Sequence, residues 1–176
     1  MAPSHLEVVM DELGLSLIAE VRHRLVKGFP EQVRTALRAL SDDEIWARHN
    51  GESNSLGNLV LHLCGSTRHF LGRGVGGSDY VRDRAGEFAE KGPISREELA
   101  RRLDETVAEA ERVMDGLSPS RLLEKTDRTG KPFTVAELLL RVSHHWAVHT
   151  GQIVFDVKAR KPGAFEELWM KTMEKR

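Results

Sequence analysis

Residues 133–158 read FTVAELLLRVSHHWAVHTGQIVFDVK, and the fold turns on whether this stretch is one helix. Thr134 followed by Glu137 has the form of a capping box, which marks a helix start, and the apolar run that follows continues to about Lys158 without a breaker. Its centre, HHWAVHTGQI (144–153), places three histidines within six residues. On a helix turning about 100° per residue, His145 and His149 share one face and His144 does not.

Working outward, glycine and proline punctuate the chain at GFP (28–30), GRGVGG (72–77), GP (92–93), SPS (118–120), TGKP (129–132) and KPG (161–163). Long helical segments are predicted between them. The first arm runs from Leu13 to Leu40, with apolar residues at Leu17, Ile18, Val21, Leu25, Val33 and Leu37, and Pro30 kinks or splits it. The second starts in ESNSLGN, capped by Ser53, Asn54 or Ser55, and continues to about Leu71 with His62 in its middle. The third opens at Ser95 and Glu98 and runs through Leu99, Leu103, Val107, Ala110 and Met114 to Gly116. No stretch alternates with period two over six residues, so strands have little support.

Four long helices predict an all-α four-helix bundle in a single domain, 1–176. Arg73 to Pro93 forms a long crossover between the second and third helices, and loops of about twenty residues usually carry function or cross the bundle. Within it, the charge run RDRAGEFAEKG reads as a solvated segment. FEELWMKTMEKR predicts a short tail helix with Phe165, Leu168, Trp169 and Met173 on one side.

The chain carries 26 basic and 27 acidic residues, a net charge of −1. It therefore has no bulk attraction to nucleic acid or to an anionic membrane. No apolar run approaches the roughly 20 residues that span a bilayer, the best being LGNLVLHLCG. With the single cysteine Cys64 and a start lacking a basic or hydrophobic leader, a cytoplasmic protein is expected.

A histidine pair at i, i+4 lets one helix offer two neutral nitrogens to a single cation, their ring tips converging to about 3 Å. A catalytic metal needs a third ligand from another helix, and His62 is the candidate. His69 shares its face but lies about 10.5 Å further along the axis, where it could line the mouth of the same cleft. The competing reading is that these are core histidines satisfied by backbone carbonyls, and spacing alone leaves both open. HWAVH has Trp146 where zinc peptidases of the H-E-x-x-H type place their base, which argues against a peptidase.

Gln152, three past His149, lies on the ligand face and could serve as an outer partner or bond to another helix, while Asp156 reads as a solvated helix-end carboxylate. Gly151 reads as a packing residue and Cys64 as a buried core thiol. Trp46, Trp146 and Trp169 could line a cleft or pack the core.

SNSLGNLVLHLCGSTRHF, RDRAGEFAEKG, SREELARRLDETVAEA and HHWAVHTGQIVF, in that order and spacing, resemble the DinB/YfiT superfamily of small metal-binding four-helix bundles. The resemblance runs from about Leu15 to Lys161. It implies a metal site at His62, His145 and His149, holding one divalent ion (zinc, nickel or iron). It further implies thiol-dependent transferase or isomerase chemistry on a small-molecule substrate, with a low-molecular-weight thiol such as bacillithiol or mycothiol, and pairing as a homodimer. Metal-assisted hydrolysis and a non-enzymatic metal-binding or stress role are the alternatives.

Overall fold

Ser4 accepts a hydrogen bond from the Glu7 amide while the Glu7 carboxylate reaches back to the Ser4 amide, and this capping box starts α1 (His5–His23). The computed structural model describes residues 4–92 and 94–173. The first arm thus begins well ahead of Leu13. Leu6, Met10 and Leu13 are all exposed, so the first turns of α1 carry no core stripe from which the start could be read.

Pro30 does not break this arm. A π-helical turn over Arg24–Gly28 joins α1 to α2 (Phe29–Ala39), with Pro30 in the first turn of α2. Widening the helix just ahead of the proline accommodates a residue whose ring and missing N–H would otherwise interrupt the ladder. A short α3 (Asp42–Trp46), capped by Ser41 and Glu44, follows.

The second arm is α4 (Leu56–Thr67), capped by Ser55 with Asn58 completing the box, and it ends in a π turn over Arg68–Arg73. The long connection then holds α5 (Arg84–Ala89), capped by Asp83. Pro93, where the expected crossover ends, lies outside the described residues. The third arm is α6 (Arg96–Asp115), capped by Ser95, with Leu99, Leu103, Val107, Ala110 and Met114 buried. A two-residue antiparallel ladder pairs β1 (Lys125–Thr126) with β2 (Phe133–Thr134) just before α7 (Val135–Arg160), whose capping box is Thr134 and Glu137.

The four arms give an all-α bundle with a long crossover between the second and third. α2 packs on α7 and α6, and α4 packs on α6, α7 and α5. Val33, Leu63, Leu103, Leu138, Leu139 and Ile153 fill the core with no exposure. Trp146 is buried among them, its ring stacked 6.4 Å from Phe29 and its Nε1 donating to Thr67 Oγ1 at 2.8 Å. The tail forms α8 (Glu166–Met173), anchored by buried Phe165 stacked 5.9 Å from Trp169. The Met173 side chain lies outside the described residues.

Candidate metal centre

α4 and α7 pack against each other, and their packing brings together residues 83 apart in sequence. One potential ligand atom from each of His62, His145 and His149 lies within 4.8 Å of the others. The His62 and His145 Nε2 atoms are 2.9 Å apart. Ring centroids stand 4.7 Å apart for His62–His145, 5.0 Å for His62–His149 and 4.5 Å for His145–His149. The i, i+4 pair and the mid-helix histidine of α4 therefore converge, and the cluster could hold a metal ion.

Two of the outer ring nitrogens have partners of their own, while His145 Nδ1 is buried with none. Gln152 accepts from His149 Nδ1 at 2.7 Å, one turn back on its own helix and not across to another. His62 Nδ1 lies 2.8 Å from Glu87 Oε2. Arg82 grips the same carboxylate through Nε to Oε1 and Nη2 to Oε2, both at 2.7 Å. Phe88 sets its ring 4.6 Å from that of His62.

Glu87 corrects the reading of RDRAGEFAEKG as solvated. Its side chain is only 8% exposed, and α5 lies on α4 where Asn58 Nδ2 donates to the carbonyls of Glu87 at 3.0 Å and Glu90 at 2.8 Å. Balanced charge concealed this, because Arg82 and Glu87 neutralise each other beneath the surface. The one available signal was the buried-type Asn58 inside an apolar helix start, a polar residue that needs a partner from elsewhere in the chain.

Burial drives the electrostatics. It pushes His145 down to about 3, helped by the neighbouring His149 and His62, and it also lowers His149. At neutral pH both rings are uncharged, the form in which imidazole offers a lone pair. Burial opposes ionisation of Glu87, yet Arg82 and His62 hold its carboxyl below the usual carboxylate range.

The remaining candidates fall outside the cluster. His69 sits in the π turn after α4 with its ring 4.8 Å from Phe70, and it is not among the converging three. His144 is exposed. Asp156 is not the solvated carboxylate expected: its side chain is 19% exposed, pairs with Arg160 and lies 2.5 Å from His49 Nε2, linking α7 to the loop after α3. Gly151 is exposed, and a Cβ there would meet nothing within 4 Å, so it is not a packing residue. Cys64 is a buried core thiol as expected, and burial pushes it up to about 11. Trp146 belongs to the core, and Trp46 donates to the Ile94 carbonyl at 2.8 Å. A cavity of about 330 Å³ beside Glu87, lined by Cys64, Gly65, Arg68, Tyr80 and Thr106, includes none of the three histidines.

A helical bundle that gathers imidazoles from its second and last arms belongs to a class able to hold a cation between facing helices. The sequence pattern of the DinB superfamily matches residues 27–153, and the chain belongs to that superfamily. The fold is similar to that of a DinB-like protein from Bacillus cereus ATCC 10987, with a TM-score of 0.60 at 16% identity, covering 75% of this chain and 85% of that one. No curated protein matches the chain. Among the described residues, no helix is long and apolar enough to cross a membrane.

Proposed function

We propose that His62, His145 and His149 hold one divalent ion, zinc, nickel or iron, in a metal-dependent enzyme acting on a small-molecule substrate. The reaction is of S-transferase or isomerase type, with a low-molecular-weight thiol as co-substrate. The observation that carries this reading is the convergence of three imidazoles from two helices within 4.8 Å. Two of the rings are engaged at their outer nitrogens by Glu87 and Gln152, which leaves the inner nitrogens free to donate lone pairs. Bound there, such an ion supplies a positive charge that lowers the pKa of an adjacent thiol or water.

The chain's own groups suit that role. Burial keeps His145 uncharged, so protons compete weakly for it. The nearby carboxylate, Glu87, is occupied by Arg82 and the outer face of His62, so three imidazole donors remain and coordination positions stay open for substrate. Cys64 is buried with a raised pKa and is no source of thiolate, which favours a thiol brought in from solution.

We further infer a cytoplasmic protein, a single domain over 1–176, that works as a homodimer without nucleic acid or membrane partners. Trp169 of the tail is stacked on Phe165; exposed apolar residues that would support pairing are Leu6, Met10 and Leu13 on α1, Leu140, Val148 and Phe155 on α7 and Met170 on α8. Size-exclusion chromatography with light scattering tests that state.

The central experiment uses untagged protein, elemental analysis and an assay of the metal-loaded form against thiols with an electrophile panel. Turnover that requires the thiol is expected. Hydrolysis without thiol would establish the hydrolase instead, a bound ion with no turnover in either assay would make the protein a non-enzymatic metal binder, and absence of a stoichiometric ion would overturn the reading.

A further inference from the structure

Glu87 is not on a bundle helix, yet every feature around it serves to place its carboxylate behind His62. α5 is a six-residue helix, too short to be stable alone, so its position comes from docking. Asn58, buried with no exposure, fixes its end through two backbone carbonyls, and Arg48 Nη2 adds a bond to the Phe88 carbonyl at 3.3 Å.

Gly65 supplies the space. A Cβ at Gly65 would lie 1.9 Å from Glu87 Oε1 and 2.8 Å from its Cδ, so any other residue there pushes the carboxylate away. The gap that a missing side chain leaves on α4 is filled by Glu87, one turn from His62. Arg82, itself in the crossover and 10% exposed at its side chain, closes over both oxygens.

We infer that Glu87, clamped by Arg82 and admitted by Gly65, is a positioning residue for the candidate metal centre: it accepts the Nδ1 proton of His62 and so fixes Nε2 as the ligand atom. This rests on the reading that the three histidines bind a cation. An ionised carboxylate can only accept, so at 2.8 Å it selects the His62 tautomer that carries hydrogen on Nδ1. The Arg82 Nη2 atom lies 3.0 Å from the same nitrogen and 2.7 Å from Glu87 Oε2; a guanidinium only donates, so with hydrogen on Nδ1 the carboxylate is its acceptor. The crossover thereby works as a strap that sets the aim and basicity of the α4 ligand from outside the bundle.

The test measures zinc affinity and stoichiometry of untagged protein by competition with a chromophoric chelator, alongside nitrogen NMR of the metal-free imidazoles. Glu87→Gln and Gly65→Ala are expected to weaken zinc binding by about 10- to 100-fold at unchanged stoichiometry, and the wild-type His62 signal is expected to be that of the Nδ1–H tautomer. Arg82→Gln, at a position outside α4 and α5, should weaken binding in the same direction and serves as the second variant if Gly65→Ala folds poorly. A merely structural Glu87 would lower the fraction of protein that binds and leave the affinity of the remainder unchanged. Wild-type affinity in Glu87→Gln and Arg82→Gln, or an Nε2–H tautomer in the wild type, would overturn the inference. Failure of the wild type itself to bind zinc, nickel or iron would instead remove the proposed function.

Discussion

The Nε2 atoms of His62 and His145 stand 2.9 Å apart across 83 residues of chain. Two lone pairs cannot face each other at that distance, so in metal-free protein a proton sits between them, and a cation that takes both nitrogens displaces it. The contact makes each ring dependent on the other. Replacing His62, His145 or His149 by alanine should therefore lower divalent-ion affinity by on the order of a hundredfold or more, because two imidazoles bind weakly. His144→Ala, one residue away but exposed, should leave it unchanged. Titration of each untagged variant with zinc checks the contrast.

The pH dependence follows from His145. Its folded-state pKa lies near 3, below the ordinary value of about 6.5 for a free histidine, so the unfolded chain binds a proton that the folded chain refuses. Its sign is thus destabilising on acidification: stability of the metal-free protein is unaffected by this group above pH 6.5 and falls progressively from there towards pH 3. His149, also lowered by burial, adds to the slope. Denaturation midpoints of metal-free protein between pH 7 and 5 should drop, and His145→Gln should flatten that dependence.

Trp146 predicts a different outcome from the peptidase base whose place it takes in the motif. Its ring is 1% exposed, stacks with Phe29 and donates to Thr67 Oγ1. Trp146→Ala should cost about 3–5 kcal/mol of stability by leaving a cavity. Thr67→Val should cost about 1–3 kcal/mol by leaving the indole N–H without an acceptor. Urea unfolding followed by circular dichroism measures both.

How much of this was legible in the sequence differs by the range of the interaction. Capping boxes such as Thr134–Glu137 and the buried series Leu99 to Met114 are local, so the arms could be read from spacing. The pair His145–His149 was equally local, and His62 stood out as a histidine inside an apolar helix. The start of α1 at His5 has a local signal in the Ser4–Glu7 box, but its first turns bury nothing, so no apolar stripe extends the first arm back from Leu13. Glu87 was hidden for the same reason: α5 has no periodicity of its own, and what fixes it is Asn58 and Gly65, more than twenty positions back.

Asn58 therefore offers a test of the strap by itself. It donates to Glu87 and Glu90 carbonyls, and its Oδ1 accepts from Arg48 and from the Ser55 hydroxyl. Asn58→Ala should remove about 1–3 kcal/mol of stability through the buried carbonyls left unpaired. Hydrogen exchange should then speed up over residues 84–90 while α6 stays protected.

Gly151 makes the opposite prediction. It lies within the GQI segment that follows the histidine pair, in the middle of α7, is exposed, has no φ in the left-handed region, and a Cβ there would meet nothing within 4 Å. Neither close packing nor backbone geometry demands glycine, and a helix interior penalises it by about 0.5–1 kcal/mol relative to alanine. Gly151→Ala should accordingly raise stability by about that amount without altering zinc affinity, since Gln152 and His149 keep their bond. Urea unfolding and zinc titration of the variant check the two expectations.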